Sequence, residues 1–571
     1  MMKKNAKKPG LISFLGKYKV LVLTIISLSL IVNILGLALP RINSRAIDSL
    51  QTQNYDRDGF LIIFAGIATV ILVLGLVQVV ISNYTAEKIA AELRKQIIEK
   101  ISKQTFSYIN SISTSKLLTN LTADTDAVKN FINQALVLIF AAVVQLIGSG
   151  ILLLVINWKL AVPIILTLPI IIFAFGYIFK KLGKFFQLSQ EVIDKLNRVI
   201  NESIVGSALI RVINAKSFET KKFTIVNDEA KFLGIKIITG FAGLFPLINL
   251  IVSAGFLIVL GYGGVQIIDK TLSPGDFSSF FSYIFIFIGP VILIGFLSTE
   301  IQRAFASYTR IREVIDAKEP EQLGTITKEI KGNIKLSDVN LTIGQKIVLK
   351  DISLEIKPQT RVAIIGPTGA GKTQLFYLIT GLVSPTSGNI KIDGTKIEEY
   401  DTNSLYSQIG MVFQDSMIFN TTVRDNIAFR SNISDELIWK ALETADLKDF
   451  VNLLPNKLDS LLTERGTSLS GGQKQRLTLA RALALNPKIL LLDDFTARVD
   501  INTEKIILAN LAKNYPQITI VSITQKIASI EDFDNIILVM EGELLATGKH
   551  NELLEKSLEY QLIFNSQQQL N

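Results

Sequence analysis

The sequence predicts a polytopic α-helical membrane domain of six spans with long cytoplasmic helical extensions, followed by an α/β domain. Three observations carry this. Six apolar stretches reach the length of about 20 residues that a bilayer requires. The connections between them alternate between short and long. After "DAKEPEQLGTI" (Asp316–Ile326) the pattern changes to strands alternating with helices. The bulk numbers agree, since 571 residues that are 49% hydrophobic, with a mean hydropathy of +0.40, are too apolar for an ordinary soluble protein.

Composition also removes whole classes of chemistry. There is no cysteine, so disulfides and thiolate metal sites are excluded, and the single histidine, His550, excludes histidine-clustered metals. The net charge of +9 could suggest nucleic acid. The basic residues lie largely between hydrophobic segments, however, so a lipid bilayer is the expected partner and nucleic acid is not.

Residues 1–19 are expected to form a cytoplasmic N-terminus. In "LISFLGKYK" (Leu11–Lys19), Leu11, Ile12, Phe14, Leu15 and Tyr18 are placed on one helical face lying along the inner membrane surface. The spans are placed near 20–39, 60–81, 136–156, 160–179, 240–262 and 279–297. The short connections at 40–59, 157–159 and 262–278 carry three, one and one Lys/Arg, and the long ones at 82–135 and 180–236 carry seven and eleven. By the positive-inside rule the long loops and both termini face the cytoplasm, in a plasma (inner) membrane. No small-residue cleavage site marks a removed signal peptide. Asn33, Gln78, Gln145 and Asn249 are scattered through spans almost free of charge, which disfavours a proton or ion relay and suits a cavity for hydrophobic or amphipathic molecules.

Residues 82–135 contain neither Gly nor Pro, and "AEKIAAELRKQIIEKI" has helical periodicity. The spans should therefore continue into the cytosol as helices and turn back. An arm of roughly 25 residues projects about 35 Å. A loosely packed amphipathic loop is the alternative.

In the second half, the strand "RVAIIG" runs into "GPTGAGKT" (Gly366–Thr373), a complete P-loop. Its glycines let backbone N–H groups curl around phosphate oxygens, and the following helix adds its positive end. Gly366, Thr368, Gly369, Ala370, Gly371 and Gln374 are the expected cradle. Lys372 would meet the β- and γ-phosphates, and the Thr373 hydroxyl would ligate Mg²⁺. A glycine-rich turn without ligand is the alternative. Further on, "LSGGQKQR" (Leu469–Arg476) precedes a helix, and "KILLLDD" begins twelve residues after it.

The order "GPTGAGKT", "VFQD", "LSGGQ", "ILLLDD" resembles the nucleotide-binding domain of ABC transporters, and with six preceding spans the chain resembles an ABC exporter half-transporter. The resemblance implies a membrane domain over 20–315, a linker over 316–330 and an ABC-type P-loop NTPase domain over 331–571. "SKLLTNLTADTDAV" and "SALIRVINAKSFETKKF" resemble segments around the two coupling helices, placed near Ser111–Lys116 and Asn214–Thr220. "NWKLA" and "LSPGDFSSFFSY" resemble family connections between spans. In the family two nucleotide domains trap two ATP head to tail, so Ser470, Gly471, Gly472 and Gln473 would meet a γ-phosphate held by the other chain. Gln414 would watch the metal and the attacking water, and Asp493 would hold Mg²⁺. Glu464 and Arg465 in "TERG" resemble an element that touches coupling helices of the opposite chain. His550 matches a different family segment and is read as structural.

Three positions depart from the family pattern. Asp494 stands where a glutamate usually orients the attacking water, and one methylene less withdraws the carboxylate by roughly 1–1.5 Å, enough to spoil a near-attack geometry. Gln525 stands where the family has a switch histidine. Ile343 stands where an aromatic usually stacks on adenine. The combination resembles the degenerate-site subunit of heterodimeric multidrug ABC exporters, an ATPase whose catalysis occurs mainly at the partner's site. A second half-transporter would supply the glutamate and the histidine, and "LSGGQ" here would complete its site. A homodimer with two slow sites and an ATP-gated regulator or channel are the alternatives. With about 19 residues before the first span and no cysteine, no N-terminal cysteine peptidase domain is expected, and hydrophobic or amphipathic compounds are the expected cargo.

Overall fold

The computed structural model describes residues 10–51, 56–319, 324–429, 433–463, 466 and 469–568. Two units divide the chain, Met1–Ser102 with Ser113–Lys318 and Lys103–Ile112 with Glu319–Asn571. The long helices are α1 (Leu11–Leu15, short, at the entry), α2 (Lys19–Gln51), α3 (Arg57–Ser102), α4 (Phe106–Ser111, short), α5 (Leu136–Val205), α6 (Lys216–Ala242), α7 (Leu244–Ile258) and α8 (Pro274–Ile315).

Among the described residues five helical runs are long and apolar enough to cross a membrane. The run containing α5 holds two of the six stretches, because α5 is two helices meeting at Asn157, where φ is −157° and ψ 101°. The Asn157 carboxamide oxygen accepts from the N–H groups of Lys159 and Leu160 at 3.1 and 3.2 Å, capping the second helix. All six apolar stretches are thus helical. α3 is one uninterrupted helix of 46 residues. At 1.5 Å per residue it extends about 69 Å, well beyond the hydrocarbon core, as a helical extension outside the bilayer requires.

The spans differ in what they face. Half of the most apolar window of α8 is buried, while none of that of α3 is. Phe280, Tyr283 and Ile284 of α8 are fully buried with Leu153 and Leu160, and the Tyr283 hydroxyl donates to the Leu37 carbonyl at 2.7 Å. Leu61, Ile62 and Val80 of α3 point outward, as lipid-facing side chains should. Two of the scattered amides satisfy each other, with Gln145 donating to Asn33 at 2.8 Å.

The entry helix differs from the sequence reading. Leu11, Phe14 and Leu15 are buried, with the Phe14 ring 5.5 Å from that of Tyr308 on α8, whereas Ile12 is exposed. Positions 11, 14 and 15 share a helical face, and Ile12 lies about 100° off the first of them. The apolar side is therefore split, one part against the protein and one outward. Nearby in the same unit, buried Asp124 takes two bonds from Arg310 of α8, from Nε at 3.0 Å and from an Nη at 2.5 Å.

The second unit contains two sheets. A four-stranded antiparallel sheet has the order β2-β1-β4-β5, from β1 (Ile334–Ile343), β2 (Lys346–Ile356), β4 (Ser387–Ile392) and β5 (Thr395–Lys396). A six-stranded sheet has the order β10-β9-β3-β8-β7-β6, from β3 (Arg361–Ile365), β6 (Ile409–Val412), β7 (Ile489–Asp493), β8 (Thr519–Ile523), β9 (Asn535–Met540) and β10 (Glu543–Gly548). From β9 to β6 it is parallel, and only β10 is antiparallel. β7 and β8 are buried along their whole length, which is why they read as unbroken runs of "ILLLD" and "TIVSI".

Residues Lys103–Ile112 belong with this unit. The Thr105 hydroxyl caps α4 by accepting from the Tyr108 N–H, and the Phe106 ring sits 5.1 Å from Tyr377. The segment 111–116 spans the end of α4 and the start of a separate helix, Thr114–Thr119. The segment 214–220 is the turn at Asn214, whose φ is 52°, and the start of α6.

Replacing Asp124 by Ala should destabilise the membrane unit by about 1 kcal/mol, because it removes the carboxylate that holds the partly exposed Arg310 guanidinium. Thermal unfolding of the detergent-solubilised chain reads this. A melting temperature equal to that of the unaltered chain would show that the pair holds nothing together.

Candidate nucleotide-binding site

A parallel strand buried on both faces exposes polar groups only where it ends, and ligands of open α/β sheets sit beyond those carboxyl ends. Four adjacent strands do this here. β3 leads into Gly366, β6 into Gln414, β7 ends on Asp493 and β8 leads to Gln525. In register, Asp493 pairs with Ile523 and Val412 with Leu492, so the strand ends form one rim. A cleft of about 310 Å³ opens there. Thr368, Gly369, Gly371, Lys372, Thr373 and Gln374 line one side, and Gln414, Asp493, Asp494 and Gln525 line the other.

The loop from β3 into α9 (Lys372–Ile379) tolerates no side chain at two of its glycines. Gly366 has φ +149°, and a Cβ there would lie 1.9 Å from the Val539 carbonyl oxygen. Gly371 has φ +92°, and its Cβ would meet Leu349 at 2.7 Å and the Val348 carbonyl oxygen at 2.9 Å. Positive φ and close approach both demand glycine. The loop curls around the Lys372 ammonium, which donates to the carbonyls of Gly366 and Pro367 at 2.7 and 2.8 Å. Ala370 is buried beneath it.

The charges of the site perturb one another. Burial holds the Lys372 ammonium below the usual lysine value, while Asp493 and Asp494 act the other way. Burial pushes the Asp493 carboxyl up, and its hydrogen bond with Thr373 pulls against that. Burial likewise raises Asp494, opposed first by Lys526 and then by Lys372. Asp494 has φ +47°, an uncommon left-handed conformation that Asp tolerates better than most residues, and its N–H donates to the Ile523 carbonyl at 2.9 Å.

Among the described residues no group of three His, Cys, Asp or Glu could cage a metal by itself. Thr373 and Asp493 both line the cleft and offer two hard oxygen ligands. That set fits Mg²⁺, which takes one or two protein ligands and completes its octahedron with phosphate oxygens and water. Mg²⁺ there would neutralise charge on the transferred phosphoryl group.

Two groups of expected residues stand apart from the cleft, Ile343 and the Ser470–Gln473 turn that was expected to face another chain's nucleotide. Ile343 ends β1, is half exposed and is absent from the lining, whereas Val348 of β2 is present. Ser470–Gln473 lie outside it, at the start of α10 (Gly471–Ala484). There the Ser470 hydroxyl accepts from the Gln473 N–H at 3.2 Å, and the Gln473 side-chain oxygen accepts from the Ser470 N–H at 2.8 Å, a complete capping box. The sequence placed Gln473 on a phosphate, and the structure shows its side chain closing this cap. Glu464 and Arg465 lie outside the described residues. His550 bonds the Tyr560 hydroxyl at 2.7 Å and takes no part in the cleft.

Sequence reasoning missed Val348, Ile523, Lys526 and Arg498. Lys526 follows Gln525, donates to the Thr496 carbonyl at 3.2 Å and pairs with Glu504 at 3.7 Å. The Arg498 side chain approaches within 3.0 Å of where a Cβ on Gly471 would lie, so it covers the first turn of α10. Only the basic residue in each motif hinted at either role.

Comparison with known proteins agrees with this construction. The family described as the ABC transporter transmembrane region matches residues 22–291, and the family described as ABC transporter matches 349–497. The uncharacterized ABC transporter ATP-binding protein YfiB of Bacillus subtilis (strain 168) is 31% identical over 509 residues, 88% of each chain. The ATP-dependent lipid A-core flippase of Desulfotalea psychrophila is 30% identical over 508 residues, 86% of each. In fold, the chain is similar to a bacterial Atm1-family ABC exporter with ATP bound, at a TM-score of 0.81 and 22% identity, covering 96% of this chain and 99% of that one. The membrane helices, the P-loop cleft and these similarities identify the chain as a member of the ABC exporter family, a half-transporter whose membrane region is fused to an ATP-hydrolysing nucleotide-binding domain.

Proposed function

We propose that this chain is the degenerate-site half of a heterodimeric exporter of hydrophobic or amphipathic compounds. The observation that carries the reading is the composition of the cleft rim, where the shorter carboxylate of Asp494 and the amide of Gln525 line the same cleft as the P-loop. Phosphoryl transfer depends on positioning and electrostatics, so a short, left-handed aspartate is a poor aligner of water. An amide can donate to a phosphate oxygen but cannot shuttle a proton. The cradle, Lys372, Thr373 and Asp493 are complete, so Mg-ATP would bind and turn over slowly.

Partnership is supported by what lies outside the cleft. Ser470–Gln473 do not line the cleft of their own chain, which suits a site completed from the other side. Val205, Val212 and Phe218 of the first unit are strongly exposed, as are Met417, Phe429 and Leu461 of the second. Exposed apolar side chains beyond the spans are ones that a second chain would cover. A second half-transporter carrying glutamate and histidine at the corresponding positions would then hydrolyse ATP against Ser470 here. The lipid-facing apolar helices and the flippases among the relatives support an amphiphile as cargo. The two coupling segments, α4 with 111–116 and 214–220, would carry the motion, with both termini and the nucleotide-binding domain in the cytoplasm. Because Asp494 does line the cleft, a homodimer with two slow sites is the second reading.

The chain purified alone should bind Mg-ATP with negligible turnover, and Asp494→Glu together with Gln525→His should raise turnover by about 10–100-fold. Substantial turnover by the unaltered chain that vanishes in Asp494→Asn would instead establish the homodimer. In a complex with its partner, Ser470→Ala should lower turnover by about tenfold while ATP retained on this chain's P-loop is unchanged. Loss of that retained ATP would show that Ser470 acts in its own chain. Because burial raises the Asp493 carboxyl, Mg²⁺ affinity should fall on acidification at a higher pH than an exposed aspartate would give, and titration calorimetry across pH measures it.

A further inference from the structure

The last described helix, α11 (Leu558–Gln568), holds the segment that follows β8. The Gln567 side-chain nitrogen donates to the Gln525 carbonyl at 2.6 Å, and its side-chain oxygen accepts from the Ile527 N–H at 3.0 Å. A glutamine amide offers a donor and an acceptor in one plane, and here both are used on backbone groups two residues apart. The bonds flank Lys526 and begin on Gln525, whose side chain lines the nucleotide cleft.

The helix that carries this clamp is itself fixed. Tyr560 is fully buried, and its hydroxyl lies 2.7 Å from His550 Nδ1. The Phe564 ring packs edge-on to the His550 ring, with centroids 5.2 Å apart. Tyr560, Ile563 and Phe564 share a core with Ile365, the last residue of β3, and with Ile527 inside the clamped segment. α11 is therefore anchored to the strand that enters the P-loop while it grips the backbone that presents Gln525. The one histidine of the chain acts in this anchor.

We propose that Gln567 is a positioning residue for recognition of the terminal phosphate of a nucleoside triphosphate. It acts by holding the backbone of Gln525 so that this residue's amide faces the γ-phosphate. The proposal rests on the reading above that Gln525 meets that phosphate. A glutamine side chain has several rotatable bonds, and its aim depends on a fixed backbone origin. Without the clamp the amide would spend much of its time elsewhere, and only ligands that own a third phosphate would lose affinity.

The test compares Mg-ATP and Mg-ADP affinities of the full-length chain in detergent micelles, with thermal unfolding measured on the same samples. Gln567→Met removes both bonds at nearly constant size. Gln567→Glu keeps the acceptor for Ile527 but sets a carboxylate oxygen against the Gln525 carbonyl, with little change in helix propensity. Both variants should weaken ATP by about five- to tenfold and ADP by less than about twofold, since net hydrogen-bond contributions are modest. In a Gln525→Ala background Gln567→Met should cost nothing further. Equal losses for ATP and ADP, no loss for either, or a full additional loss in the Gln525→Ala background would each overturn the proposal while leaving the nucleotide site intact. If Gln525→Ala itself leaves the preference for ATP over ADP unchanged, the reading of Gln525 fails and the proposal falls with it.

Discussion

A sheet buried on both faces has nowhere to put a charge except at the ends of its strands. That constraint organises the second unit. β3, β8, β7 and β6 lie side by side and parallel, so their carboxyl ends fall on one rim, and the phosphate cradle, both aspartates, Gln414 and Gln525 are all delivered there. The hydrophobic runs and the polar rim are one design. Register keeps the apolar residues inside, and the same register aligns Asp493 with Ile523, two residues before Gln525.

The membrane unit obeys a related rule with a different solvent. Backbone polar groups in hydrocarbon must be satisfied within the helix, so direction changes only where a side chain can cap the free ends. Asn157 does this between the two closely spaced spans, and its carboxamide also bonds Gln266. Charged pairs are confined to places beyond the apolar windows, as with Asp124 and Arg310.

Much of this was legible in the sequence because it rests on local spacing. The P-loop glycines could be read at once, since Gly366 and Gly371 are fixed by sterics that no other residue meets. The six stretches were legible from length, and the capping potential of Ser470 from the "SGGQ" spacing. The place of Ile343 was not, because the pairing of β1 with β2 is irregular around Leu341 and Thr342, and Val348 lines the cleft while Ile343 does not. Of the five residues placed on one face of the entry helix, Leu11, Phe14 and Leu15 are buried and Ile12 is exposed, a division that no local spacing reveals. The bond from Gln567 to Gln525 joins residues 42 positions apart through a side chain with no motif around it, and only the fold brings them together.

The capping box at the start of α10 fixes the polarity of a hydroxyl. Because the Ser470 oxygen accepts from the Gln473 N–H, that lone pair is occupied and the hydroxyl hydrogen is left to point away from the helix. The Gln473 amide oxygen is likewise turned inward onto the Ser470 N–H. What this corner shows its surroundings is therefore a row of donors at the positive end of a 14-residue helix, with no acidic side chain in its first turn. Such a corner, with the Arg498 side chain beside it, disfavours a metal ion and favours an oxyanion.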